Sequence, residues 1–151
     1  MIKLSRLTDY AVTLLTQMVS EGQELYAATE LAEKSGLSLA TTSKILKQLT
    51  KSGITRAQRG ASGGYLLNKA AADITIASVI EAMDGPIALT NCAGEGEHSC
   101  KVEQTCPMSG NWDKINQTVR RALEEVSLAD MAVPQSQKTV PVDAVLHAAS
   151  E

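Results

Sequence analysis

The sequence predicts a mainly α-helical fold with a small β-hairpin wing: a winged helix-turn-helix followed by a long C-terminal helix. Three observations carry that expectation. Two short helical stretches are joined by the turn "SGLS", a glycine-rich hairpin pattern follows them, and an apolar stripe of helical period lies further along the chain. In "LTDYAVTLLTQMVSEG", Tyr10, Ala11, Leu14, Leu15, Met18 and Val19 form one helical stripe, with Thr8 as the expected N-cap and Gly22 as the stop. Thr29, Glu30 and Glu33 then read as an acidic first turn, with Leu31 and Ala32 facing inward. Ser38 suits the N-cap of the next helix, which runs to about Ser52 with Ile45, Leu46 and Leu49 inward and Gly53 as its terminal glycine.

After Gly53 the period changes. "ITRAQRG", "ASGG" and "YLLNK" read as a strand, a glycine turn and a returning strand. "TIASVIEAMDGP" is a short helix closed by Asp84, Gly85 and Pro86. Trp112, Ile115, Val119, Ala122, Leu123 and Val126 mark the later stripe. The expected organisation is a DNA-binding domain over 1–85, a cysteine loop over 86–110, a helix with a short following segment over 111–133 that packs on its own domain or serves as a dimerisation helix, and a flexible tail over 134–151.

A chain of 151 residues can bury one sizeable core, and with no phenylalanine that core must use Leu, Ile, Val, Ala and Met. No apolar run is long enough to span a membrane, and the opening residues lack the apolar core and small-residue site of a signal peptide. A cytoplasmic chain with no membrane partner is the expectation, and there thiols serve metals or redox chemistry rather than disulfides.

Net charge is −3, yet residues 34–69 carry seven basic side chains and no acidic one. Local field, not total charge, decides phosphate binding, because screening confines it to about 10 Å. A helix fits the major groove, so Ser38, Ala40, Thr41, Thr42 and Ser43 are expected near base edges, with Lys44, Lys47 and Lys51 reaching phosphates. In the wing, Arg59 and the glycines Gly60, Gly63 and Gly64 suit close approach to the duplex and its minor groove.

All three cysteines, Cys92, Cys100 and Cys106, fall within 15 residues, spaced Cys-x7-Cys-x5-Cys. Structural zinc favours short chelating pairs, whereas thiolates also suit iron–sulfur clusters and redox switching; from spacing alone all three stay open. His98 and His147 are the only histidines, and no nucleophile–base or phosphate-loop pattern is visible, so neither an enzyme nor a small-molecule substrate is expected.

"LSRLTDYAV", the helix-turn-helix, "RGASGGYLL", "ITIASVIEAMDGP" and the three-cysteine loop, in this order, resemble the Rrf-type (IscR/NsrR-like) bacterial transcription regulators over about residues 1–133. The opening "LSRLTDYAVTLL" looks most like the branch that regulates the SUF system of iron–sulfur cluster assembly. The resemblance implies a homodimeric repressor-type regulator binding a double-stranded operator, with an iron–sulfur cluster (2Fe–2S or 4Fe–4S) on Cys92, Cys100 and Cys106. One branch places a histidine three residues after the third cysteine, where this chain has Ser109; another completes the cluster with a partner-subunit aspartate, which matches Asp9 here. A carboxylate at a helix start also suits the macrodipole without any metal. A thiol-switch or nitric-oxide-responsive regulator of the same fold is the alternative, and a small iron–sulfur redox protein is a third reading.

Overall fold

In the computed structural model, residues 3–22, 25–60, 63–93, 105–108 and 110–133 are described. The first helix, α1 (Arg6–Glu21), starts earlier than expected. Ser5 is its N-cap, accepting from the Thr8 backbone N–H at 3.1 Å, while Thr8 is buried within the first turn. The cap moves to Ser5 because Thr8 lies on the inward stripe with Ala11 and Leu15 and is withdrawn from solvent.

Helix α2 (Ala28–Ser35) begins after Ala27 without a side-chain cap, so Thr29 sits inside its first turn. Gly36, at φ 70°, ends it in the left-handed region, where a Cβ is disfavoured. Ser38 then caps α3 (Leu39–Lys51), its hydroxyl accepting from the Thr41 N–H at 3.1 Å as expected. Strands β1 (Thr55–Gln58) and β2 (Gly64–Leu67) pair antiparallel, Thr55 opposite Leu67 and Gln58 opposite Gly64. A single turn of 3₁₀ helix (Ala71–Asp73) leads to α4 (Ile76–Asp84), capped by Thr75. Helix α5 (Asn111–Glu124) and the short α6 (Leu128–Ala132) complete the described chain.

The core joins Leu14, Leu15 and Met18 of α1 to Leu31 of α2, Ile45, Leu46 and Leu49 of α3, Val79 of α4 and Leu128 of α6. Each such aliphatic side chain contributes roughly 1.5–3 kcal/mol on burial. Among the described residues Tyr26 is the one fully buried aromatic, and its hydroxyl donates to the Met18 carbonyl at 2.8 Å. Its backbone pairs with Tyr65 in both directions, at 2.9 and 2.8 Å, so residue 26 extends the wing towards α1.

Gly64 is required by that pairing. A Cβ there would lie 2.5 Å from the Tyr26 carbonyl oxygen, which is backbone and cannot swing aside. Gly64→Ala is therefore expected to destabilise the fold by about 1–3 kcal/mol, read as a lower midpoint in thermal or urea unfolding. An unchanged midpoint would show that the wing is not tied to Tyr26 in solution.

The later apolar stripe is helical only in part. After Glu124 the chain turns into a short extended pairing, with Ile76 N–H donating to the Val126 carbonyl at 2.9 Å and Leu128 N–H to the Ile74 carbonyl at 2.7 Å. Val126 thus lies outside α5, and Ser127 with Asp130 forms a reciprocal capping box that starts α6. The 134–151 tail lies outside the described residues.

Candidate nucleic-acid interface and cysteine segment

Lys44, Lys47 and Lys51 recur along one exposed side of α3 and, with Ala40, Ser43 and Ser52, line an open groove of about 830 Å³. Glu81 and Ala82 of α4 close its other wall. Ser38 and Ala40 are exposed, and Thr41 and Ser43 are half-buried. Thr42 differs from expectation: it is fully buried among the core side chains of α3 and does not present its hydroxyl on that side. The reason is helical phase, since Thr42 precedes the inward residues Ile45, Leu46 and Leu49 by three, four and seven positions. Among the described residues its Oγ1 has no hydrogen-bond partner. Thr42→Val should therefore leave DNA affinity unchanged and hold or raise stability by up to about 1 kcal/mol, measured by urea unfolding.

Lys34, the first of the seven basic residues, is already engaged. Its ammonium bonds Glu21 and Glu30, and those hydrogen bonds hold its pKa above the usual lysine value. In the wing, Arg56 and Arg59 are exposed. Gly60 has φ 128° and its carbonyl accepts from the Gly63 N–H at 3.0 Å, while a Cβ on Gly63 would meet the Gln58 carbonyl oxygen at 2.5 Å. The wing glycines thus have reasons within the chain itself: Gly60 and Gly63 make the turn and Gly64 admits Tyr26.

Cys92 and Cys106 are free, half-buried thiols; Cys100 lies outside the described residues, as do His98 and Ser109. Cys92 sits on a turn in which Ala93 N–H donates to the Thr90 carbonyl at 3.1 Å, with the Thr90 hydroxyl 3.3 Å from the sulfur. Upstream of it, Asn116 of α5, only 4% exposed, donates to the Ile87 carbonyl at 3.0 Å and accepts from the Leu89 N–H at 3.1 Å. Asp9 is exposed in the first turn of α1. Among the described residues no three histidine, cysteine or acidic side chains gather at one point. The donor chemistry nevertheless suits an iron–sulfur group: Cys92 and Cys106, neither in a disulfide, flank the stretch that holds Cys100, and thiolate is the soft donor that iron in such clusters takes.

Gln48 and Asn116 are residues that the sequence does not single out. Gln48 follows Lys47 in a polar-looking segment, and Asn116 sits beside the apolar stripe of α5, so neither departs from an ordinary helix surface. A polar residue adjoining an apolar stripe was the available signal for Asn116.

The pattern that defines the Rrf2 family, described as an iron-dependent transcriptional regulator, matches residues 4–134. The chain belongs to the Rrf2 family. The HTH-type transcriptional regulator IscR of Serratia proteamaculans is 28% identical over 131 residues, which span 86% of this chain and 79% of that protein. Among solved structures, CymR (YrzC), the global cysteine regulator of B. subtilis, superposes with a TM-score of 0.67 at 24% identity, covering 87% of this chain and 97% of CymR. T. potens IscR gives 0.63 at 24% identity, covering 86% and 85%. The Rrf2 assignment agrees with the architecture, which among the described residues is mostly helical with one two-stranded hairpin. It also makes the chain a transcription regulator rather than an enzyme. Among the described residues no helix of this Rrf2 protein is long and apolar enough to cross a membrane.

Proposed function

We propose that this Rrf2 protein is a cytoplasmic homodimeric regulator whose grip on a double-stranded operator depends on an iron–sulfur cluster, and that its targets are SUF-type cluster-assembly genes. The observation that carries this reading is the Rrf2 match together with three thiols confined to residues 92–106. Cys92, Cys100 and Cys106 would hold the cluster and the partner's Asp9 would complete it; bound there, the cluster supplies an iron centre sensitive to redox state and to small oxidants. Exposure of Asp9, with Ser5 rather than Asp9 serving as the N-cap, supports a role outside its own helix.

DNA is met by α3 and the wing. Ser38, Ala40, Thr41 and Ser43 lie at the helix start that approaches base edges, Lys44, Lys47 and Lys51 bond phosphates, and Arg59 at the wing tip reaches the minor groove. Two such helices in a dimer read half-sites about 34 Å apart. Helix α5 supports dimerisation: Asn116 is its buried residue, while Ile115 remains 46% exposed on the apolar side.

Selecting duplexes from a random pool and measuring their affinity across a salt series tests the DNA reading. The logarithm of affinity should fall linearly with the logarithm of salt, by roughly 0.9 per phosphate contacted. A salt-independent affinity removes the lysines from the interface. A thiol-switch regulator is the second reading, favoured by the free Cys92 and Cys106 and by a 25%-identical neighbour, Staphylococcus aureus CymR solved in an oxidized form.

A further inference from the structure

Four residues at the end of α4 touch three other helices. Gln48 of α3 donates through one side-chain nitrogen to two carbonyls of that turn, Ala82 at 2.9 Å and Met83 at 3.0 Å. These carbonyls belong to the last turn of a helix, where intrahelical donors run out, so a side-chain donor is worth most there. Glu81 pairs with Arg120 of α5 at 3.4 Å. Asp84 accepts from the Ser5 backbone N–H at 3.2 Å, holding the first turn of α1, which carries Asp9. Burial pushes the Asp84 carboxyl up, but hydrogen bonds from Ser5 and Thr8 outweigh it and hold it below its ordinary value.

The chain leaves this turn directly towards the first cysteine. Within five residues of Asp84, both Ile87 and Leu89 are held by the buried amide of Asn116, and Cys92 follows three residues later. Helix α5 is therefore fixed to the turn through Glu81 and to the cysteine segment through Asn116. On the other side, Gln48, Glu81 and Ala82 line the same groove as Lys44, Lys47 and Lys51. A shift of this turn moves the wall of that groove, and loss of the Arg120 partner leaves the Glu81 carboxylate beside the lysines, where it repels phosphate.

We propose that the 81–84 turn is the relay through which the cysteine segment sets the pose of α3, with Gln48 as the positioning residue on the α3 side and Arg120 and Asn116 on the α5 side. The relay rests on the DNA-binding reading of α3, and it holds whether the thiols carry a cluster or act as a switch. Gln48 does not contact DNA in this scheme, because its side-chain donor is committed to α4.

The test compares operator affinity before and after alkylating the thiols with iodoacetamide, in the wild-type protein and in Gln48→Met, which keeps side-chain length and removes the donor. Alkylation should change wild-type affinity by at least about fivefold, and Gln48→Met affinity by less than about twofold. Arg120→Gln, which releases Glu81 without altering α3, is the second variant and should lose the response equally. An undiminished response in both variants overturns the relay, as does a wild-type protein that ignores alkylation. If the random pool yields no duplex, the DNA reading fails, and amide hydrogen exchange of residues 45–51 decides the relay by itself. Exchange that accelerates on alkylation in the wild type but not in Gln48→Met supports it, and unchanged wild-type exchange overturns it.

Discussion

Replacing Lys44 and Lys47 together by alanine is expected to lower operator affinity by about 10- to 100-fold and to reduce the salt slope by about two. Each lysine is expected to form one charge-assisted bond to phosphate and to release a counterion. Both ammonium groups stand on the exposed side of α3, away from the core residues Ile45, Leu46 and Leu49, so truncation leaves the fold intact. Fluorescence anisotropy across a salt series measures affinity and slope in one experiment. The loss should be similar on operator and random duplex, because phosphates carry no sequence information. A loss confined to the operator would place these lysines on base edges instead.

Ile115→Glu is expected to convert the proposed dimer to monomer and to weaken operator binding by more than about 100-fold, because one half-site would be lost along with the avidity of two linked modules. Ile115 is 46% exposed, and Trp112, Val119 and Leu123 on the same side of α5 are only half-buried. Burying that side against a second copy removes apolar surface that the chain alone leaves wet, whereas a glutamate there would have to be desolvated. Because the residue is exposed in the isolated chain, the variant should keep its helical content. Light scattering coupled to gel filtration gives the mass, and a variant that remains dimeric would move the interface away from α5.

The winged helix was legible because its signals are local. The "SGLS" turn, the Ser38 cap and the period change after Gly53 each act within a few residues, and each is found where expected. The sequence does not separate Ser5 from Thr8 as the cap of α1, because both are competent hydroxyls and only burial decides between them. From sequence Thr42 reads as DNA-facing for the same reason: a hydroxyl-rich helix start looks uniformly polar until the core fixes its phase. The end of α5 depended on the pairing of residues 126–128 with 74–76, a long-range contact that periodicity does not encode, although the "SLAD" capping box was there to be read. The wing glycines were expected to serve the duplex, while their positions are dictated by the Gly60–Gly63 turn and the approach of Tyr26. Gln48 and Asn116 were missed because their partners are distant in sequence.

DNA binding by this Rrf2 protein is proposed to depend on a cysteine-held iron–sulfur group. The most direct test is operator affinity of anaerobically purified protein, with iron and acid-labile sulfide counted on the same sample, against a variant carrying Cys92→Ser, Cys100→Ser and Cys106→Ser. Iron and sulfide are expected in the native protein and neither in the variant, with operator affinities that differ by at least about fivefold. Native protein free of iron and sulfide, binding the operator as tightly as the serine variant, would contradict that dependence.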